Sequence, residues 1–165
     1  MNKDFENEII EIAKSHQDQD NYKPQTPQHS SEDEEYIEVI EHFFSISKEA
    51  VNIYNSNITT EVLSVYKLPK EFLEMFLEIP GRKGGFCIIS PTRLIIFFDE
   101  DPQIITVIGK TRSSEGKNNN SSSKVNQLLK VSFSRKDQKY QYKDNAGGVL
   151  EPYEIVSLLI RWVTS

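Results

Sequence analysis

Five consecutive apolar residues, Leu94-Ile95-Ile96-Phe97-Phe98, restrict the fold of this chain more than any other feature. Successive side chains of a strand point to opposite faces, so a strand that is apolar at every position must be covered on both sides. The run is short and bounded by turn residues, Ser90-Pro91-Thr92 before it and Asp99-Glu100-Asp101-Pro102 after it. Gly84 to Ser90 and Ile104 to Lys110 flank it as further β-rich runs. Together they predict an antiparallel meander whose central strand, Arg93 to Phe98, has helices on both faces.

Two more strands are expected over Gln127 to Ser134 and Lys139 to Lys143, with a turn at Arg135 to Gln138, before Asn145-Ala146-Gly147-Gly148 breaks the sheet. Thr60 to Leu68 fits either period and is assigned as a strand for its β-branched content. Helical spacing governs Asp33 to Tyr54, through Ile37, Ile40, Phe44, Val51 and Tyr54, and Ser31-x-x-Glu34 resembles a capping box. Pro69 opens a helix carrying Phe72, Leu73, Phe76 and Leu77, which Pro80-Gly81 ends. Pro152 starts a last helix with Ile155, Val156, Leu159, Ile160 and Val163 on one side. The fold class is therefore α+β: an antiparallel β-meander with N-terminal helices and a C-terminal amphipathic helix.

A chain of 165 residues holds one core and a tail. Residues 33–165 are expected to form the single domain, with 112–125, rich in Asn and Ser, as a flexible loop. Residues 1–32 read as a disordered acidic arm with a short helix at Phe5, Ile9, Ile10 and Ile12. No stretch approaches the ~18 apolar residues that span a bilayer, and the N-terminus lacks a secretory pattern, so an intracellular location is expected, in the cytoplasm or the nucleus. The single cysteine, Cys87, lies in an apolar run and reads as a buried hydrophobe, which leaves neither a disulfide framework nor a Cys-based metal site.

The stretch Gly85-Phe86-Cys87-Ile88-Ile89-Ser90-Pro91-Thr92-Arg93-Leu94-Ile95-Ile96-Phe97 resembles the hairpin of GRAM and other pleckstrin-homology-like domains. In that hairpin a glycine opens one strand, Ser or Thr closes it, and Arg-Leu starts the next. The resemblance implies a PH-like barrel plugged at one end by the final helix. It also implies a scaffold that binds phosphoinositides or protein segments without catalysis. The helix at Asp33 to Tyr54 lies outside the family's pattern.

Charge separates along the chain. Residues 1–80 carry six Lys against seventeen Asp or Glu, a balance of −11, whereas residues 81–165 carry thirteen Lys or Arg against eight, a balance of +5. The basic half supplies a candidate anion-binding set, Lys110, Arg112, Lys130, Arg135, Lys136, Lys139 and Lys143, joined by Lys117 and Lys124 in the polar loop. Lysines and arginines so arranged contact phosphates of lipid headgroups or nucleic acid, and Phe133, Tyr140 and Tyr142 among them offer rings for stacking on bases. Gly81-Arg82-Lys83-Gly84-Gly85 lacks the spacing of a phosphate loop and ends a helix instead of opening one.

Catalytic constellations are poor: His42 is the only histidine of the folded part, and the acids at 99–101 suit a turn, so no enzyme activity, metal or cofactor is expected. Ile40, Phe43 and Phe44 on the long helix, and Ile9 on the arm, are candidate contacts for a partner. Ser30 and Ser31, followed by Glu32-Asp33-Glu34-Glu35, are candidate phosphorylation sites. The function expected from these features is that of a non-enzymatic intracellular module for protein–protein interaction, an adaptor or assembly subunit. The alternative is a phosphoinositide- or nucleic-acid-binding module using the basic C-terminal half.

Overall fold

The computed structural model describes residues 3–17, 31–60, 62–78, 80–112 and 125–165. The elements, in chain order, are α1 (Lys3–Gln17), α2 (Ser31–Ser56), β1 (Ser64–Leu68), α3 (Lys70–Leu77), β2 (Gly85–Ile89), β3 (Arg93–Asp101), β4 (Ile104–Thr111), β5 (Val125–Lys136), β6 (Lys139–Lys143), β7 (Val149–Leu150) and α4 (Pro152–Thr164). Every strand pairs antiparallel with its neighbour in sequence, giving a meander of order β1-β2-β3-β4-β5-β6-β7.

The apolar run sits on β3, covered on both faces as its composition requires. Ile95 and Phe97 join Val39 and Phe43 of α2 and Ile155, Val156 and Leu159 of α4 in the main core. Ile96 and Phe98, on the opposite face, pack with Cys87 and with Leu73 of α3. Burying a side chain of this size stabilises the fold by roughly 1.5–3 kcal/mol. Pro152 is the first residue of α4, where its missing N–H costs no hydrogen bond.

Some expectations are corrected. The barrel implied by the family resemblance does not form. β1 and β7 remain the two edges of an open sheet, because β7 is two residues long and reaches only Tyr142 and Lys143 of β6. β3 continues to Asp101, so the turn to β4 narrows to Pro102-Gln103. β5 likewise runs into the stretch assigned as turn and reverses at Asp137-Gln138, both with positive φ (51° and 65°), the signature of a two-residue hairpin that matches strand twist. α3 ends at Leu77 on a left-handed Glu78, ahead of Pro80-Gly81.

Candidate functional site

The sheet register sorts the basic residues. On β5, Val131 and Phe133 are buried in the main core, so Lys130, Ser132, Ser134 and Lys136 point the other way. Ser132 pairs with Lys143, Ser134 with Gln141 and Lys136 with Lys139, so β6 adds two more lysines to that face. α3 packs against β1 to β4, through Leu68, Cys87, Ile96, Phe98 and Ile108, and Lys136, Lys139 and Lys143 remain exposed. None of these three has an ion pair with another described residue.

Lys130 is committed: its ammonium lies 2.9 Å from Glu100, whose carboxylate also accepts the Thr106 hydroxyl. The hydrogen bonds from Lys130 and Thr106 hold the Glu100 carboxyl below the usual range. Lys110 shares the face at the far end of β4, beside Leu94 and Ile108. Arg112 lies past β4, its backbone N–H donating to Thr92 at 2.7 Å. Arg135 belongs to the opposite face, with its guanidinium 5.9 Å from the Tyr140 ring.

Burial takes Phe133 and Tyr142 out of reach of a stacking base, and the Tyr140 hydroxyl is engaged. Phe133 and Tyr142 are core residues, and the Tyr140 hydroxyl donates to Glu38 of α2 at 2.6 Å. Desolvation, then Glu38, pushes Tyr140 up to about 12.

Two of the residues expected to meet a partner meet the sheet instead. Ile40 and Phe43 are buried, and the Phe43 ring lies 6.1 Å from Phe97 and 5.2 Å from Tyr142. Phe44 is half-buried against Phe86, with the Lys67 ammonium 5.1 Å from its ring. An amphipathic stripe reports that a helix face is buried but not by what, and here the chain's own β2, β3 and β6 bury it. Ile9 is exposed on α1, as are Ile10 and Ile12. Ser31 is the exposed first residue of α2; Ser30, Lys117 and Lys124 lie outside the described residues.

The 81–84 loop is a structural anchor. Arg82 donates to the Asp99 carbonyl, the Lys83 N–H donates to the Asp99 carboxylate at 2.9 Å, and the Lys83 ammonium lies 2.6 Å from Asp33. Tyr36 of α2 donates its hydroxyl to the Gly84 carbonyl. These contacts tie α2 to β3. Among the described residues, no group of three or more His, Cys, Asp or Glu is placed to hold a metal ion.

Two surfaces escaped the sequence. A groove of about 460 Å³ runs between α2 and α4, walled by Ile46, Ala50, Ile53 and Tyr54 on one side and Tyr153, Val156 and Ile160 on the other. Its rim residues Ile53 and Tyr153 are 59 % and 61 % exposed. Ile46 and Val156 at its floor belong to the main core, and Ile53 and Tyr153 extend the apolar surface beyond it. On α3, Phe72, Met75 and Phe76 form an exposed ridge whose two rings stack at 5.8 Å and 9°.

Comparison with protein-family models, with curated proteins and with solved structures yields no match for this chain.

Proposed function

We propose that this chain is a non-catalytic adaptor or assembly subunit that takes an amphipathic helix of another protein into the groove between α2 and α4. The observation that carries this is the groove itself: an apolar trough, open to solvent, with charged side chains only at its margins, Glu49 and Arg161. Each wall presents positions spaced by a helical turn, Ile46-Ala50-Ile53 and Tyr153-Val156-Ile160. Such walls accept a third helix through apolar anchors at i, i+3 or i+4, and i+7. The hairpin's likeness to GRAM and PH-like domains agrees with a binding scaffold. A location in the cytoplasm belongs to the same proposal.

The test is a photo-crosslinking residue at Ile53, used in extract of the native cell, with the site of attachment mapped on the captured protein. The expected attachment is to a helix, and a recombinant copy of that helix binds the wild-type chain at least about tenfold more tightly than Ile53→Asp or Tyr153→Asp, since each places a charge in an apolar contact. Equal affinity for wild type and both variants removes the groove from the function.

A second reading has its own observation, the three uncommitted lysines on the open face of β5 and β6. They suit an anionic ligand, a phosphoinositide headgroup or nucleic acid, whose binding falls steeply with salt. Sedimentation with vesicles containing anionic lipid, and titration with an oligonucleotide, each at two salt concentrations, decides it. Absence of binding at low salt ends that reading.

A further inference from the structure

We infer that the groove between α2 and α4 has a resident occupant within this chain, the helix α1, which closes it until a partner helix displaces it; this rests on the helix-in-groove reading above. Three observations carry the inference. The first is an unpartnered apolar stripe on α1. Phe5, Ile9 and Ile12 recur at helical spacing, with Glu8 beside the row and Glu11 and Lys14 turned further from it. Ile9 and Ile12 are 48 % and 49 % exposed, which is the undocked arrangement.

The second is a match of length. Phe5 to Ile12 covers eight residues, seven steps and about 10.5 Å of helix. The groove walls run from Ile46 to Ile53 and from Tyr153 to Ile160, seven steps each and the same ~10.5 Å. Three anchors on one face of α1 therefore span the trough from end to end.

The third is reach. Fourteen chain steps separate Gln17 from Ser31, at most about 50 Å when extended. Ala50, midway along the groove, lies nineteen residues down α2 from Ser31, about 29 Å. A tether of this kind holds α1 at an effective concentration in the millimolar range, so weak docking suffices to fill the groove. Arg161 on the α4 wall offers a cation to the acidic row Glu8 and Glu11.

The experiment uses the full chain. The only native cysteine, Cys87, is buried, so introduced thiols react selectively. The pairs Ile9→Cys with Ala50→Cys and Ile9→Cys with Ser157→Cys place thiols at the centre of the stripe and of each wall. Ile9→Cys with Ser132→Cys, on the far face of the sheet, is the control. The expected result is an intramolecular disulfide in both groove pairs, formed at a rate independent of protein concentration, and none in the control.

A fluorescein-labelled synthetic peptide of residues 3–17 supplies the second arm. It is expected to bind the full chain carrying Ile9→Asp and Ile12→Asp about tenfold more tightly than wild type, because the variant's own α1 no longer competes. Disulfide-linked dimers that grow with concentration overturn the inference by making a second copy the occupant. Equal peptide binding to wild type and variant also overturns it while leaving the groove reading intact. Failure of the peptide to bind either chain, with no disulfide, removes both.

Discussion

Gly85 stands where β2 approaches β3 so closely that a Cβ would lie 1.9 Å from the Phe97 carbonyl oxygen. No side chain fits there, so Gly85→Ala must push two central strands apart, at a cost of about 3 kcal/mol or more. Gly81 is the control: its φ of +83° is strained for alanine, but nothing stands within 4 Å, so Gly81→Ala should cost only about 1 kcal/mol. Urea denaturation separates the two, and equal losses would show that the strand contact is looser than drawn. Asp99 has a pH signature of unusual sign. It is buried, and desolvation raises its carboxyl above the ordinary 3.8 despite the Lys83 N–H and the nearby Arg82 and Lys83 charges. Between the unfolded value and the raised folded value, the folded chain holds the extra proton, so this group's contribution to stability falls as pH rises. Asp99→Asn keeps an acceptor for the Lys83 N–H and removes the titration. Over a range of pH that begins near the ordinary 3.8 and extends above it, the wild type is therefore expected to lose stability relative to Asp99→Asn as pH rises. A constant difference across that range would place the Asp99 titration in ordinary solvent.

At the scale of elements, α2 illustrates what a sequence states and what it leaves open. Its apolar spacing made the helix legible, yet Ile40 and Phe43 looked like an interface because nothing local tells a helix which surface it will meet. The sheet that buries them is assembled from β2, β3 and β6, far along the chain. Phe43→Ala should accordingly cost about 3–5 kcal/mol, as a cavity in the core, where a partner contact would leave stability unchanged. Met75, 83 % exposed on α3, is the counterpart, and Met75→Ala should stay within about 0.5 kcal/mol. Similar unfolding free energies for the two variants would contradict the assignment of inside and outside. The strands were easier to read, since alternation is a local property. In β5 the alternation of Val131 and Phe133 with Lys130, Ser132 and Ser134 is local in this sense, although Lys136 was expected in the turn and Phe133 as a ring for stacking. The exception, β7, has two residues and no period to detect.

Across the whole molecule, helices α2 and α4 form one layer, the meander a second and α3 a partial third, which gives the opposite charges of the two halves a spatial meaning. Acids crowd α2, while Lys136, Lys139 and Lys143 occupy the far face of the sheet. An open sheet and a closed barrel share the same strand signals. The difference lies in whether the first and last strands meet, which depends on accumulated twist and on strand length, and neither is written in any local pattern. What closes this fold is instead a contact between its ends, α4 against α2 and β3. α4 buries Ile155, Val156, Leu159 and Val163, and Trp162 stacks 4.8 Å from the Arg93 guanidinium while its ring fills the space above Gly109. At roughly 1.5–3 kcal/mol for each buried aliphatic side chain, these four contribute about 6–12 kcal/mol. That rivals the ~5–15 kcal/mol by which a whole domain is usually stable. A chain ending at Leu150 should therefore lose its cooperative transition, its far-UV circular dichroism changing gradually with temperature, while Ile155→Val in the full chain keeps a sharp transition and loses about 1 kcal/mol. A sharp melt in the shortened chain would mean that the meander and α2 suffice as a folding unit and that α4 is an accessory, with the groove it walls no longer an intrinsic part of the domain.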